Sequence, residues 1–229
     1  MKKIILTAVI VAFSTMSAKA VDLSVFSLTG GLSANSSVFG ASGKEENFSD
    51  TTGNASTLNT KSGVFTESYG SQFVELGVGK YISLGYEHTP DSISTPQNVA
   101  NEGDASDEQT VSVDFNDKNT KYIKFNVPGG IYVKLGDVDV DVDIKTSRGT
   151  YADRSTSGTS VGVGYQRLLG ESGFGLRVEG NYLDFDNVTS NDGDTTDTVA
   201  NNGRTVVTAK NLEALEAKLS ITYTFGRNN

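Results

Sequence analysis

The segment Leu219–Phe225 reads LSITYTF, so apolar residues alternate strictly with hydroxyl residues up to a final aromatic side chain. Successive side chains of a β-strand point to opposite faces, so this pattern predicts a strand with one apolar and one polar face. The same period of two recurs in seven earlier segments, for example at Val74, Leu76 and Val78. The sequence therefore predicts an all-β chain with eight two-faced strands.

The connections between these segments alternate between long and short. The long ones cover roughly Ser33–Gly70, Pro90–Lys118, Thr146–Thr156 and Asn187–Arg204, and the short ones are turns at Gly79–Lys80, Pro128–Gly130 and Leu169–Gly173. Membrane barrels have short periplasmic turns and long extracellular loops, whereas a soluble sandwich gives no reason for such regularity. The chain is thus predicted to form an eight-stranded antiparallel up-and-down transmembrane β-barrel.

The polar face leaves one alternative open. A soluble exported β-barrel that binds a small apolar ligand would show the same alternation, with its apolar face inside. The regular difference in loop length and the many glycines on the polar face favour the membrane barrel, because glycine suits a crowded, narrow lumen.

The first twenty residues predict export. Lys2 and Lys3 precede the apolar run Ile4–Phe13, and small residues follow at Ala18 and Ala20. This is the pattern of a cleaved signal peptide, and the run is shorter than the ~20 residues of a spanning helix. Residues 1–20 are therefore predicted to be the signal peptide and residues 21–229 the barrel.

Charge and cysteine content exclude several functions. Without the signal peptide the chain has 16 basic and 28 acidic residues, a net charge of −12 that argues against nucleic acid as a partner. The chain has no cysteine, which excludes disulfides, thiolate metal sites and cysteine nucleophiles. No cofactor-binding motif is present.

These features together resemble the small eight-stranded outer-membrane β-barrel proteins of Gram-negative bacteria, the group typified by the barrel of outer-membrane protein A and including opacity-type surface proteins. The most specific element is the last strand, whose Tyr223 and Phe225 resemble the family's assembly signal. The phenylalanine that usually ends such chains is followed here by Gly226–Asn229. There is no tryptophan, so the aromatic belts at the membrane surfaces must use Tyr and Phe, such as Tyr86, Tyr165, Tyr182, Tyr223 and Phe225.

The resemblance implies a location and a set of partners. The chain is expected in the outer membrane after passage through the periplasm, in contact with outer-membrane lipids, lipopolysaccharide, periplasmic chaperones and the barrel-assembly machinery. The implied role is structural or surface-interacting: envelope integrity, adhesion, or a receptor whose long acidic loops meet an unknown extracellular ligand.

Five charged residues fall on the predicted inward face of four strands. They are Glu75, Lys124, Lys134, Arg177 and Glu179. The resemblance implies a salt-bridge plug or gate, whereas the residues alone require a polar core, because charges in so narrow a space must be paired. Either interpretation predicts a lumen closed by polar side chains.

The fifth strand carries an acidic run of four residues. They are Asp137, Asp139, Asp141 and Asp143. This spacing suits a hard cation if a neighbouring strand adds ligands, and the alternative is a solvated extension of the strand above the membrane. Because apolar residues occupy odd positions through Leu135 and even positions from Val138, the sequence also predicts a β-bulge near Gly136.

Two further observations concern the loops. In the acidic stretch Pro90–Lys118, residues Val111, Val113 and Phe115 alternate with polar ones, which predicts that part of it continues the barrel wall. The only histidine, His88, is followed by Thr89 and Pro90, so the His-x-Ser arrangement of outer-membrane esterases is absent. No catalytic residue is therefore predicted, and a lipid-modifying membrane enzyme is the third hypothesis.

Overall fold

The structure is a computed structural model that describes residues 25–48, 54–101, 108–146, 151–191 and 205–226. The predicted signal peptide, residues 1–20, lies outside these ranges and stays a prediction. The described strands are β1 (Phe26–Phe48), β2 (Ala55–Val78), β3 (Ile82–Thr89), β4 (Ile93–Ser94), β5 (Asn98–Asn101), β6 (Glu108–Asn126), β7 (Ile131–Thr146), β8 (Arg154–Leu168), β9 (Phe174–Phe185), β10 (Val188–Asn191) and β11 (Thr205–Phe225). In these ranges no helix is long and apolar enough to cross a membrane.

Eight of the strands form a closed ring in the order β1-β2-β3-β6-β7-β8-β9-β11, and β11 pairs back with β1. All of these pairings are antiparallel. The short strands β4 and β5 pair with β6, and β10 pairs with β11. The prediction of an eight-stranded up-and-down barrel is therefore confirmed.

The strands are staggered around the ring. Following paired residues once around the barrel from Phe26 leads back to β1 at Ser36, ten residues further along. A stagger of this size goes with strands tilted by about 40° from the barrel axis. Any row of paired residues consequently climbs as it runs around the barrel.

The two faces of the wall are the reverse of those in a soluble barrel. Leu32, Val163 and Ile221 point outward and are 69%, 58% and 62% exposed. Glu75 and Arg177 point inward and are 1% and 2% exposed. An apolar exterior around a polar interior is the arrangement of a barrel that contacts lipid. The soluble barrel with an apolar interior is therefore rejected.

Tight turns connect the strands at one end of the barrel, which we call the turn end. Gly79, Gly129 and Gly130 have φ angles of 61°, 94° and 92°, a region that residues with a β-carbon avoid. Tyr223 lies in edge-to-face contact with Phe174 and Phe225, with ring centroids 4.9 and 4.4 Å apart. The turns and an aromatic belt at this end are as predicted.

The opposite end, called the loop end, differs from the prediction. The stretch Ser33–Gly70 was expected to be a loop, but β1 continues to Phe48 and β2 begins at Ala55. Likewise β6 begins at Glu108 and includes Val113 and Phe115, which confirms that this stretch continues the wall. The barrel wall therefore extends well beyond the apolar belt.

The prediction of a β-bulge near Gly136 is wrong. β7 keeps one register with β8 from Ile131 to Val142, and its pairing with β6 runs without a break past Gly136. The register shift lies in β6 between Asn116 and Asn119, where Asp117 has a φ of 51°.

Since β7 does not bulge, Val138 and Val140 point inward, whereas Asp137 and Asp139 lie on the outward face. The change of polarity along the strand therefore marks a change of surroundings. After Leu135 the strand leaves the lipid, so its outer face becomes polar and its inner face joins an apolar core.

That apolar core fills the extension at the loop end. Phe39, Ile93 and Val138 are buried in it, and the rings of Phe39 and Phe65 stack with centroids 4.9 Å apart. The bulge in β6 turns Phe115 toward the same core. The chain thus folds as two storeys: a membrane barrel with a polar inside, and above it an extension with the apolar inside of a soluble protein.

Candidate functional site

Among the residues that the structure describes, nine charged side chains point into the lumen of the membrane-facing storey, and each is at most 5% exposed. They are Glu75, Glu87, Lys118, Lys124, Lys134, Arg177, Glu179, Glu216 and Lys218. The alternation of the strands places them there, since neighbouring side chains of a strand point to opposite faces and most of these residues stand between apolar or small outward ones. Four carboxylates face five cations, so the set is close to neutral.

Glu75 is the centre of the first group, nearest the turn end. Its two carboxylate oxygens accept hydrogen bonds from the two terminal nitrogens of Arg177, both at 2.7 Å. Lys124 donates a hydrogen bond to the same carboxylate at 2.5 Å, and the Tyr122 hydroxyl donates another at 2.8 Å. The guanidinium of Arg177 also lies over the ring of Phe73, 4.5 Å from its centroid. The bidentate pair fixes the orientation of both side chains.

The second group alternates two acids and two lysines. Lys134 donates a hydrogen bond to Glu179 and lies 3.7 Å from Glu87. Lys218 donates to Glu87 at 2.5 Å and lies 3.7 Å from Glu179. The Tyr132 hydroxyl donates to Glu179 at 2.6 Å. Each charge in this group therefore has two partners of opposite sign.

Glu216 is the centre of the third group, nearest the loop end. It accepts hydrogen bonds from Lys118 at 2.8 Å, from the Tyr69 hydroxyl at 2.5 Å and from the Asn181 amide at 2.8 Å. Lys218 approaches it to 3.1 Å and so connects the second group to the third. Directly beyond this group the apolar core begins, so the lumen is filled throughout.

The five charges predicted from the sequence all belong to this network. Glu75, Lys124 and Arg177 meet in the first group, and Lys134 and Glu179 meet in the second. The network predicted from the sequence lacks four members: Lys118, Glu216 and Lys218, and also Glu87, although the alternation of the third strand places Glu87 on the polar face. Lys118 falls in the stretch that is predicted to be a loop, and the last predicted strand covers only Leu219–Phe225. The period of two continues through Ala217 and Leu215 and could have revealed Glu216 and Lys218.

The acidic run on β7 does not form a metal site in the structure. Asp139 pairs with Lys121 at 3.0 Å, and Asp143 accepts a hydrogen bond from Asn116 at 2.8 Å. Asp137 and Asp141 are exposed on the same outward face. Within the described ranges no group of three His, Asp or Glu side chains is arranged to hold a metal ion. The geometry matches the solvated extension that the sequence left as the alternative.

His88 faces outward at the loop-end border of the apolar belt. Its Nδ1 lies 2.9 Å from the Asn119 side-chain oxygen, which also accepts a hydrogen bond from the Tyr86 hydroxyl at 2.6 Å. The hydrogen bonds described for this imidazole thus involve an amide rather than a carboxylate or a hydroxyl nucleophile.

Solved structures of outer-membrane proteins are similar to this chain. The structure of the outer membrane protein OprG from Pseudomonas aeruginosa matches with a TM-score of 0.54 and 11% sequence identity over 85% of this chain and 96% of that one. The outer membrane protein AlkL matches with a TM-score of 0.43 and 16% identity over 86% and 90% of the two chains. The outer membrane protease OmpT from Escherichia coli matches with a TM-score of 0.38 and 11% identity over 85% and 97%.

No protein-family model matches the sequence, and no curated protein sequence matches it. The similarity to OprG lies far below the identity at which function is shared, so it concerns the fold. The chain has the fold of an integral outer-membrane β-barrel protein, as the sequence predicted, and this agrees with the predicted location. Such a fold does not settle whether a protein is an enzyme.

Proposed function

We propose that this protein is a closed outer-membrane anchor that carries an interaction surface outside the cell. The observation that supports this most is the two-storey interior, because the nine described charges are buried in the lumen and Tyr69 joins them to the apolar core through its hydrogen bond to Glu216. A filled eight-stranded barrel leaves no path for free diffusion of solutes. The barrel therefore serves to hold the extension at the loop end above the membrane.

The extension is larger than an anchor requires. The pairing of β1 with β2 continues to Phe48 and Ala55, far beyond Val38, where the outward apolar residues of β1 end. Long paired strands with a core of their own offer a rigid surface for recognition, which an envelope protein with a purely structural role does not need. We therefore favour adhesion or a receptor function over envelope integrity, with an extracellular ligand of unknown identity.

A catalytic role is the weaker candidate. The only histidine is hydrogen-bonded to an amide, and the carboxylates buried in the described part of the lumen are held in ion pairs. General acid–base catalysis needs a titratable group within reach of a substrate. We propose that the protein is not an enzyme and that it uses no cofactor.

The proposed route of assembly follows from the resemblance to small outer-membrane β-barrel proteins. The signal peptide directs export, periplasmic chaperones carry the chain, and the assembly machinery reads Tyr223 and Phe225 in β11. Outer-membrane lipids and lipopolysaccharide surround the barrel. The outward position of both aromatic side chains is compatible with such recognition, since lipid-facing residues are accessible before insertion.

The extension can be shortened to test the proposal. Ser42 and Ser62 are partners in the β1–β2 ladder, so residues 43–61 can be replaced by an Asn-Gly hairpin turn. Cells that produce this variant should keep normal resistance to bile salts but lose adhesion or phage sensitivity conferred by the wild type. A variant in which residues 49–53 alone are exchanged for the same turn is the control. A loss of resistance to bile salts with unchanged adhesion and phage sensitivity would instead identify a structural role.

A further inference from the structure

The outward apolar residues cover very different lengths of strand around the barrel. On β11 every outward position from Phe225 to Leu215 carries an apolar or aromatic side chain, and the next one is Glu213. On β7 the outward apolar residues start at Ile131 and end at Leu135, where Asp137 follows. The apolar belt is therefore tall on one side of the barrel and short on another.

One row of paired residues converts these lengths into heights along the barrel axis. It starts at Phe225, makes one full turn of the barrel and returns to β11 at Leu215, ten residues nearer the loop end. Between them the row passes through Leu28, Leu76, Leu84, Ile123, Leu135, Val161 and Tyr182. Ten residues of a strand tilted by about 40° rise by about 25 Å, so the row rises by about 3 Å from each strand to the next.

The outward residues of β2, β3, β6 and β7 form what we call the short face. The rise of about 25 Å from Phe225 to Leu215 equals the apolar height of an outer-membrane barrel, so Leu215 marks the outer border of the lipid on the tall side. By the rise of the row, Asp137 lies about 4 Å and Lys121 about 7 Å below the level of Leu215. In a bilayer of even thickness these charged residues would lie among lipid chains.

The polar side chains of the short face extend over all four of its strands. Besides Asp137 and Lys121, His88 on β3 lies about 5 Å and Gln72 on β2 about 9 Å below the level of Leu215. The ammonium of Lys121 reaches toward the loop end, where it pairs with Asp139 at 3.0 Å. Long cationic side chains turn toward water in this way when their stems lie in lipid. The shorter side chain of Asp137 cannot span the same distance.

Tilting of the whole barrel does not remove this mismatch. A tilt that lifts the short face out of the lipid also lifts its turn end, where the turns Gly79–Lys80 and Pro128–Gly130 precede β3 and β7. Backbone groups of turns are not all paired, and lipid chains offer them no hydrogen bonds. A bilayer that becomes thinner beside a short apolar stretch leaves both turns in water, at a modest cost.

We propose that the short face thins the bilayer beside it, so that the headgroups of the outer leaflet lie at the level of Asp137 and Lys121 rather than at that of Leu215. The partner of this surface is the phospholipid bilayer itself, held locally at a reduced thickness. The inference rests on the placement of the barrel in the membrane, and it is independent of the ligand that the extension binds.

Nitroxide labels on single cysteines test the proposal, because the natural chain has no cysteine. Asp137→Cys on β7 and Ala217→Cys on β11 are exposed, outward positions at nearly the same height, about 20 Å above Phe225. Each protein is reconstituted into vesicles of palmitoyl-oleoyl-phosphatidylcholine, with a water-soluble nickel chelate on both sides. The ratio of label collisions with oxygen, which collects in lipid, to collisions with nickel should be severalfold lower at position 137. Equal ratios would overturn the proposal.

Two controls separate thinning from other causes of a wet label at position 137. A label at Lys80→Cys, in an exposed turn, should collide freely with nickel, whereas protection there would show that the barrel tilts instead. Spin–spin broadening at position 137 should be absent at a low ratio of protein to lipid. Broadening that persists on dilution would show that a second copy covers the short face. Either result would overturn the proposal.

A variant with a taller apolar face tests the cause. With a label at His88→Cys, the double exchange Lys121→Leu and Asp137→Leu should lower the collision rate with nickel severalfold, because the outer leaflet regains its thickness. Glu213→Leu, a charge-to-leucine exchange on the tall side, is the matched control and should leave this rate unchanged. An unchanged rate in the double variant would mean that these side chains do not set the thickness.

Folding is checked independently of the labels. A folded barrel migrates differently on a denaturing gel with and without boiling, so each variant is first tested for this shift. Should the double variant not fold, the comparison of positions 137 and 217 decides by itself. Loss of adhesion or phage sensitivity plays no part in these measurements, so the proposed function of the extension can fail without the short face, and the reverse.

Discussion

Individual glycines on the inward face make room for aromatic rings from the neighbouring strand. A β-carbon at Gly85 would lie 2.2 Å from Cζ of Tyr122, and one at Gly164 would lie 2.3 Å from Cζ of Tyr132. These rings cannot move aside freely, because their hydroxyls donate to Glu75 and Glu179. The glycines therefore set the geometry of the ion network through the rings that cover them.

This packing predicts a contrast between two glycine substitutions. Gly85→Ala should lower the free energy of unfolding by about 1–3 kcal/mol, because the methyl group displaces Tyr122 from its position. Gly180→Ala is the matched control, since a β-carbon there meets no atom within 4 Å and the side chain points outward. Urea titration of the protein in lipid vesicles measures both. Equal effects would mean that the ring repacks without cost.

Glu75 supports the second prediction at this scale. Glu75→Gln removes the charge that neutralises Arg177 and Lys124, so two buried cations lose their counter-ion. The free energy of unfolding should fall by about 3–5 kcal/mol. Glu67→Gln on the same strand, in the partly exposed extension, should change it by no more than about 0.5 kcal/mol. A small loss at Glu75 would show that water reaches the lumen and screens the cations.

The sequence could predict five of the nine described lumen charges but not how they pair. Period-two alternation is enough to place Glu75 and Arg177 on one face, because it depends on the local backbone alone. Their bidentate contact depends on the stagger of ten residues, which no local pattern contains. The role of Gly85, which leaves room for the Tyr122 ring, also depends on the pairing of strands that are distant in sequence.

At the scale of the strand, β7 passes through two environments. Its outward residues are apolar up to Leu135, with Val133 at 41% exposure, and acidic from Asp137 onward. Val133→Lys should cost about 2–4 kcal/mol of unfolding free energy, because it places a charge among lipid chains. Asp141→Lys, on the same face eight residues further, should cost about 1 kcal/mol or less. Similar costs at both positions would place Asp141 in the membrane too.

The extension has its own electrostatic contact between β6 and β7. Lys145 donates a hydrogen bond to Asp114, which lowers the pKa of that carboxyl group. A lowered pKa means that the pair stabilises the fold above the ordinary pKa of aspartate, about 4, and that this contribution is lost as the pH falls through the lowered value. The contribution is small because Lys145 is exposed.

The lowered pKa of Asp114 predicts how the effect of one substitution depends on pH. The difference in unfolding free energy between wild type and Asp114→Asn should be present at neutral pH and should shrink as the pH falls below about 4 and through the lowered pKa of Asp114. Denaturant titrations of both proteins over this range measure it. A difference that grows toward acid would mean that the neutral carboxyl group, not the carboxylate, is the better partner.

The long strands at the loop end could not be recognised from sequence. In Ser33–Gly70 most residues are Ser, Thr, Asn or Gly, and apolar residues such as Val38 and Phe39 are adjacent rather than alternating. Both apolar side chains find apolar surroundings on opposite faces of β1, since Val38 lies on the outer face and Phe39 joins the inner core. The wrong prediction of a bulge near Gly136 has the same cause. The apolar positions of β7 change from odd to even numbers because the strand leaves the lipid, whereas its pairing register stays the same.

At the scale of the whole molecule, two closures lie in series along the barrel axis. The ion network fills the membrane storey, and the apolar core, with Ile93 at 1% exposure, fills the mouth above it. An ion that entered from outside would have to cross an apolar layer and then displace paired charges, and both steps are costly. The lumen is therefore expected to be closed to ions by two successive barriers, the apolar core and the ion network.

Conductance measurements on planar bilayers distinguish two closures from one. Wild type should show no steady current. Ile93→Ala should show none either, because opening the upper core leaves all nine lumen charges paired, although its folded state should be less stable by about 2–5 kcal/mol. A steady current in Ile93→Ala alone would mean that the apolar core is the sole barrier and that water already fills the network. A current in wild type would contradict the closed anchor itself, and the proposed function would give way to transport through the lumen.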